Sequence, residues 1–189
     1  MKKRIKIADI TLCAVFAALT AVLSQAAIPI GPVPINLATF AVFCAGALLG
    51  SKRGALSLLL YTVLGIAGLP VFSMFRGGVG VIAGPTGGFI IGYTLAAFLI
   101  GYILERQTVR LKRTAAAEGD VSPISRKWYA VAMLAGAVAY FFLGSVWYMF
   151  LTGNGLWETL TVCVVPFIPG DLLKIAAATA VCKRLRGAI

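Results

Sequence analysis

An all-α membrane protein of six transmembrane helices is the fold class this sequence predicts. Three observations predict it: 60% of the residues are hydrophobic, only 12% carry charge, and mean hydropathy is +0.97. A soluble domain carries roughly a quarter charged residues. Uncharged runs extend over Ile10–Ser51, Gly54–Phe75, Gly77–Leu104 and Trp128–Trp157. A spanning helix needs about 20 mostly apolar residues. The 189 residues read as one transmembrane domain over 1–189.

The elements follow in order. The first uncharged run is long enough for two spans, and Ile28-Pro-Ile-Gly-Pro-Val-Pro-Ile-Asn36 breaks it. Proline removes a backbone donor and disrupts a helix interior, so this segment is a loop. Span one lies near 9–28, span two near 37–51, span three near 54–70, span four near 86–104, span five near 128–150 and span six near 166–183. The basic start followed by an apolar run looks like a signal peptide. That run continues straight into further spans, so it is expected to be an uncleaved first helix.

Charge sets the expected orientation. The net charge is +11. Basic residues gather in the N-terminus (Lys2, Lys3, Arg4, Lys6), the turn Lys52-Arg53, the middle loop (Arg106, Arg110, Lys112, Arg113, Arg126, Lys127) and the C-terminus (Lys183, Arg184, Arg186). Only Arg76 and Lys174 stand apart. The positive-inside rule therefore places both termini in the cytoplasm. The excess charge serves orientation and lipid headgroups. No aromatic-interleaved basic patch supports nucleic-acid binding.

Several function classes drop out. Histidine is absent and the four cysteines (Cys13, Cys44, Cys163, Cys182) are scattered without a CxxC pair, which excludes the usual metal sites. The cysteines read as small buried hydrophobes. There is no GxxxxGK[ST] loop for ATP and no GxSxG elbow. Glu118 and Asp120 sit in a solvated basic loop. The chain reads as a transporter or receptor energised by a partner, not as an enzyme, and it implies no cofactor.

Asp171 and Lys174 stand out at the start of an apolar segment, in Pro166-Phe-Ile-Pro-Gly-Asp-Leu-Leu-Lys174. Charges in hydrocarbon cost several kcal/mol and usually line a site. Their i,i+3 spacing puts both on one helix face, with Asp171 in a first turn where the dipole favours a carboxylate. Two readings stand: a self-neutralising ion pair, or a site where Asp171 accepts N–H donors and Lys174 donates to a carbonyl or carboxylate.

The outer loops 28–36, 69–84 and 152–169 share one surface under this topology. The second runs on through Gly84-Pro-Thr-Gly-Gly88 into span four, where free amides at the helix start suit an anion or carbonyl. Its glycines also suit turns and close packing alone. Arg76 suits a carboxylate or a lipid phosphate. Asn36 suits an amide-like ligand or a cap on span two. In span one, Ala14 and Ala18, like Ala17 and Ala21, are four apart. Small residues so spaced admit another helix, internal or from a partner subunit.

Taken together, Gly31-Pro-Val-Pro-Ile-Asn36, Ala45-Gly-Ala-Leu-Leu-Gly50 with Gly54-Ala-Leu-Ser57, Gly68-Leu-Pro-Val-Phe72, Gly84-Pro-Thr-Gly-Gly88 and Pro169-Gly-Asp-Leu-Leu-Lys174 resemble BioY. This is the biotin-binding S component of energy-coupling factor (ECF) transporters. The resemblance covers nearly the whole chain, departing from the family pattern at Asn36 and Thr39. It implies a six-helix protein of a bacterial cell membrane that binds biotin from outside. It also implies a transmembrane T subunit and two ATPase A subunits as partners. Ala14 and Ala18 would form the partner interface. Asn36, Arg76, Gly84, Thr86, Gly87, Tyr93, Asp171 and Lys174 would bind substrate, with Phe40, Phe72 or Trp157 as apolar walls. An S component for another vitamin and a solitary biotin facilitator are the rival readings.

Overall fold

The computed structural model describes residues 7–118 and 124–185, with backbone alone over 114–118. Lys2, Lys3, Arg4, Lys6, Asp120 and Arg186 lie outside the described residues, as does the Glu118 side chain. Eight helices run in chain order: α1 Ile7–Gln25, α2 Ala38–Leu49, α3 Ser51–Ile66, α4 Val79–Ala83, α5 Gly87–Glu118, α6 Arg126–Thr152, α7 Leu156–Cys163 and α8 Ile168–Leu185. Between α1 and α2 two short strands, β1 Ala27–Ile28 and β2 Ile35–Asn36, pair antiparallel with Ala27 opposite Asn36.

Among the described residues, four segments are long and apolar enough to cross a membrane: Ile7–Gln25, Gly87–Arg113, Arg126–Thr152 and Leu156–Leu185. Helix α2, at 12 residues, is only about 18 Å long, well short of a 30 Å hydrocarbon layer. It is nonetheless the most buried helix: Ala38, Ala41, Val42, Phe43 and Ala45 have no exposed surface. Non-helical chain at membrane depth is tolerated where protein surrounds it. The loop before α2 is mixed: Val33 and Pro34 are buried while Ile28 and Ile30 are exposed.

Helix α5 is the axis of the bundle. It packs along α6, α3 and α2, while α1 lies on α3 and α2, and α8 on α2 and α6. Small residues set these distances. A Cβ on Gly101 of α5 would strike the backbone of Gly50 and Ser51, so glycine lets α5 touch the joint between α2 and α3. Gly50 turns that joint at a φ of 83°, a left-handed value glycine adopts without strain. The Glu105 carboxylate then accepts from the Ser51 amide at 2.8 Å and the Ser51 hydroxyl at 2.7 Å. A carboxylate thus caps α3, where the helix dipole favours it. Lys52 and Arg53, expected as a turn, are instead the first turn of α3. Arg53 pairs with Asp9 of α1 at 2.8 Å.

Each of the six expected segments falls on a helix with shifted ends, and four of those helices are long and apolar enough to cross a membrane. Span four is α5, which extends to Glu118, because the polar middle stretch continues the helix beyond the apolar run. Helices α4 and α7 are additional short elements within the segments 69–84 and 152–169, where sequence reading placed only irregular chain.

Candidate functional site

The site begins where α8 begins. Pro166 and Pro169 flank a tight entry turn, and α8 runs from Ile168, so Asp171 falls in its first turn. The i,i+3 spacing turns Asp171 and Lys174 inward against α2 and α6. They are 3% and 8% exposed. The Lys174 ammonium donates to Asp171 Oδ1 at 2.8 Å, to the Asn36 carbonyl at 2.7 Å and to Thr39 Oγ1 at 3.0 Å. All three of its donors are used. Thr39 donates onward to Asp171 Oδ1 at 3.2 Å, and the Tyr140 hydroxyl donates to Asp171 Oδ2. One ion pair is therefore held by groups from three other elements: β2, α2 and α6.

The pair is not closed on itself, and both side chains line a cavity with Val33, Pro34, Phe89, Tyr93 and Phe167. Asn36 and Thr39 complete that wall. A second cavity adjoins it through Asn36, Phe89 and Tyr93, and extends to Tyr61, Phe72, Ser73, Arg76 and Thr86. The two measure about 20 and 30 Å³, room for about one water each. Small-molecule sites run to several hundred Å³, so a ligand enters only if the walls separate.

The chain between α3 and α5 forms one wall of the second cavity. Asn36 Nδ2 donates to Ser73 Oγ at 2.6 Å, while Asn36 Oδ1 accepts from the Ala38 amide at 3.0 Å. Asn36 is thus both cap and tie. Ser24 donates to the Val71 carbonyl at 2.6 Å, and the Gln25 carbonyl oxygen accepts from the Phe75 amide at 2.8 Å. Trp147 Nε1 donates to the Gly84 carbonyl at 3.0 Å. Met74 and Phe75 hold φ of 63° and 57°, which is costly for such side chains. Backbone bonds hold the segment as well, the Gly78 amide donating to the Gly65 carbonyl at 2.7 Å and the Phe72 amide to the Arg76 carbonyl at 2.9 Å.

A larger cavity, about 470 Å³, lies between α6, α7 and α8. Its lining is apolar but for Ser145 and the flank of Asp171, and its Val138 and Phe142 walls are exposed to the bundle's surroundings. It lacks the convergent polar groups of the cavity that Asn36, Thr39 and Lys174 line.

The whole sequence, residues 1–189, matches the family model described as BioY family. The chain belongs to the BioY family. It is 37% identical to a probable biotin transporter BioY of Pyrococcus horikoshii over 96% of this chain and 98% of that one. It is 36% identical to the biotin transporter BioY of Thermotoga maritima, over 91% and 92%. It is also similar to a crystal structure of the S-component for biotin from an ECF-type ABC transporter. That match has a TM-score of 0.83 and 32% identity, covering 99% of this chain and 95% of that one. BioY is a transporter family, and this member is a multi-pass membrane protein, not an enzyme.

Within this BioY fold the residues singled out by sequence divide. Asp171, Lys174 and Asn36 meet directly, and Tyr93, Thr86 and Arg76 line the adjoining cavities. Arg76 is exposed, its Nε donating to the Ser73 carbonyl at 3.2 Å. Gly84 and Gly87 stand behind the walls: Gly84 receives Trp147, and a Cβ on Gly87 would strike the Ile82 carbonyl. Of the three aromatic walls considered, Phe72 lines a cavity; Phe40 packs on the core, and Trp157 is 80% exposed on α7. On α1, Ala14 and Ala18 face outward while Ala17 is buried. The two alanine steps thus lie on different faces. Sequence reading gave no role to Tyr140, Ser73 or Gln25. A tyrosine inside an apolar span was the one available signal for Tyr140.

Proposed function

We propose that this chain captures biotin as the S component of an ECF-type uptake transporter in a bacterial cell membrane. The observation that carries the reading is the buried Asp171–Lys174 pair on a cavity, within a chain that matches the BioY family throughout. A cyclic urea presents N–H donors and a carbonyl side by side. A carboxylate and an ammonium on one helix face complement that pattern. The apolar remainder of the ligand suits Val33, Phe72, Phe89 and Tyr93. Arg76 stands nearest the outer rim to meet a carboxylate.

The chain acts as one unit over 1–189 with six passes: α1, α2, α3, α5, α6 and α8. The short α2 completes its pass through the proline-rich loop. Both termini face the cytoplasm, since Lys52, Arg53, Arg106, Arg126, Lys183 and Arg184 cluster at one end of the bundle. Ligand enters from the other end as the 67–86 segment opens. Ala14 and Ala18 offer α1 to a T subunit, and two A subunits supply energy by hydrolysing ATP.

Calorimetry of the purified chain with biotin tests the reading. One site per chain is expected, with other vitamins failing to displace the ligand. No heat with biotin, or equal displacement by another vitamin, overturns it. Uptake by cells lacking the T and A subunits would instead mark a solitary facilitator. A single cysteine replacing Arg76 should react with an impermeant reagent from outside, and one replacing Arg106 should not.

A further inference from the structure

At the opposite end of the bundle from the ligand site, the start of α6 and the end of α8 meet around a pocket of about 320 Å³. Arg126, Lys183, Arg184 and the small Ala180 line it. Among the acids whose side chains the structure describes, every one is engaged elsewhere. Asp9 pairs with Arg53, Glu105 caps α3, Glu158 accepts from the Gly155 amide in α7, and Asp171 holds Lys174. Three cations therefore converge on one concavity with no described carboxylate facing it. The Ser125 side chain does not cap α6, so the positive end of that helix dipole adds to the field there. Trp128, half-exposed one turn on, is the aromatic type that settles at a membrane interface.

From this we infer that the pocket binds the phosphodiester of an anionic phospholipid in the inner leaflet. The orientation proposed above places it at headgroup depth on the cytoplasmic side. Guanidinium forks match phosphate oxygens in pairs, and basic pockets between spanning helices on this side suit anionic headgroups. A zwitterionic headgroup brings its own cation and fits poorly. The site ties the ends of α6 and α8 together beneath the Asp171 network, which both helices build.

The test is native mass spectrometry of the purified full chain, stripped of lipid and titrated with phosphatidylglycerol or phosphatidylcholine of the same acyl chains. One phosphatidylglycerol per chain is expected, held at least tenfold tighter than phosphatidylcholine. Each cation near a membrane surface is worth roughly a five-fold change. The double variant Arg126→Ala with Arg184→Ala should then weaken retention on the order of 25-fold, the product of two such factors. The charge-keeping Arg126→Lys with Arg184→Lys should lose less, and it guards against misfolding of the first. Lys52→Ala, an exposed cation outside the pocket, should change nothing. Equal losses with Lys52→Ala would reduce the effect to diffuse surface charge and overturn the site. Competition by inorganic phosphate at lipid-like concentrations would show a free-anion site and overturn it too. So would expulsion of the lipid on assembly with partner subunits, which would make the pocket a protein interface. Biotin calorimetry on the same samples keeps the two readings apart: failure to bind biotin refutes the functional proposal without touching lipid retention.

Discussion

Replacing Lys174 by methionine removes the ammonium while keeping most of the side-chain volume. Three hydrogen bonds disappear, to Asp171 Oδ1 at 2.8 Å, the Asn36 carbonyl at 2.7 Å and Thr39 Oγ1 at 3.0 Å. Asp171, 3% exposed, is left as a buried carboxylate with only Thr39 and Tyr140 beside it. Breaking a buried pair from one side costs about 3–5 kcal/mol, because an uncompensated charge remains. Asp171→Leu should cost a similar amount by stranding Lys174. The double variant Asp171→Leu/Lys174→Met buries no charge. Its remaining cost is about 1–3 kcal/mol for each polar group left without a partner, chiefly the Tyr140 hydroxyl and the Asn36 carbonyl. Each single variant strands a buried charge as well as one of those groups, so thermal-shift melting in detergent should rank the double variant above both singles. Calorimetry with biotin should find binding lost in all three. If Lys174→Met melts with the parent, the pair is not buried as described. If the double variant binds biotin like the parent, the pair serves folding alone and the site proposal fails.

Tyr140→Phe removes the donor to Asp171 Oδ2 and should weaken biotin binding by about 1.5–3 kcal/mol, the range for bonds to a charged group; unchanged calorimetry would show that Tyr140 does not position the carboxylate. Gly65→Ala places a Cβ against the Phe72 ring, an overpacking that costs about 1–3 kcal/mol. Because Phe72 lines the second cavity, both melting temperature and biotin affinity should fall, and a neutral result in both would mean that the ring has another seat. Ala14→Trp and Ala18→Trp, on the outward face of α1, should leave biotin binding intact and abolish co-purification with the T subunit; full recovery of the complex would rule out this docking face. Ala17→Trp, at a position 2% exposed, should instead destabilise the chain itself, which melting of the variant checks.

The amino-acid sequence by itself determined the solvent, the helical class and the family. Hydrocarbon demands long uncharged runs with every backbone group satisfied inside a helix, and composition records that demand directly. It also marked Asp171 and Lys174, because charge in an apolar run is costly enough to stand out and the i,i+3 spacing fixes a shared face. The close approach of α5 to the joint between α2 and α3 was not legible, since it depends on Gly101 meeting Gly50 and Ser51 from distant parts of the chain. Nor was the choice between the two alanine steps on α1, because the same spacing serves an inner or an outer face until neighbouring helices are placed. Tertiary structure alone decided who satisfies the ion pair. Tyr140 and Thr39 are ordinary residues within apolar helices, and they acquire a role only when α6 and α2 bring them within hydrogen-bonding reach of α8. A buried charge reveals its need locally, whereas the groups that meet it come from wherever packing puts them.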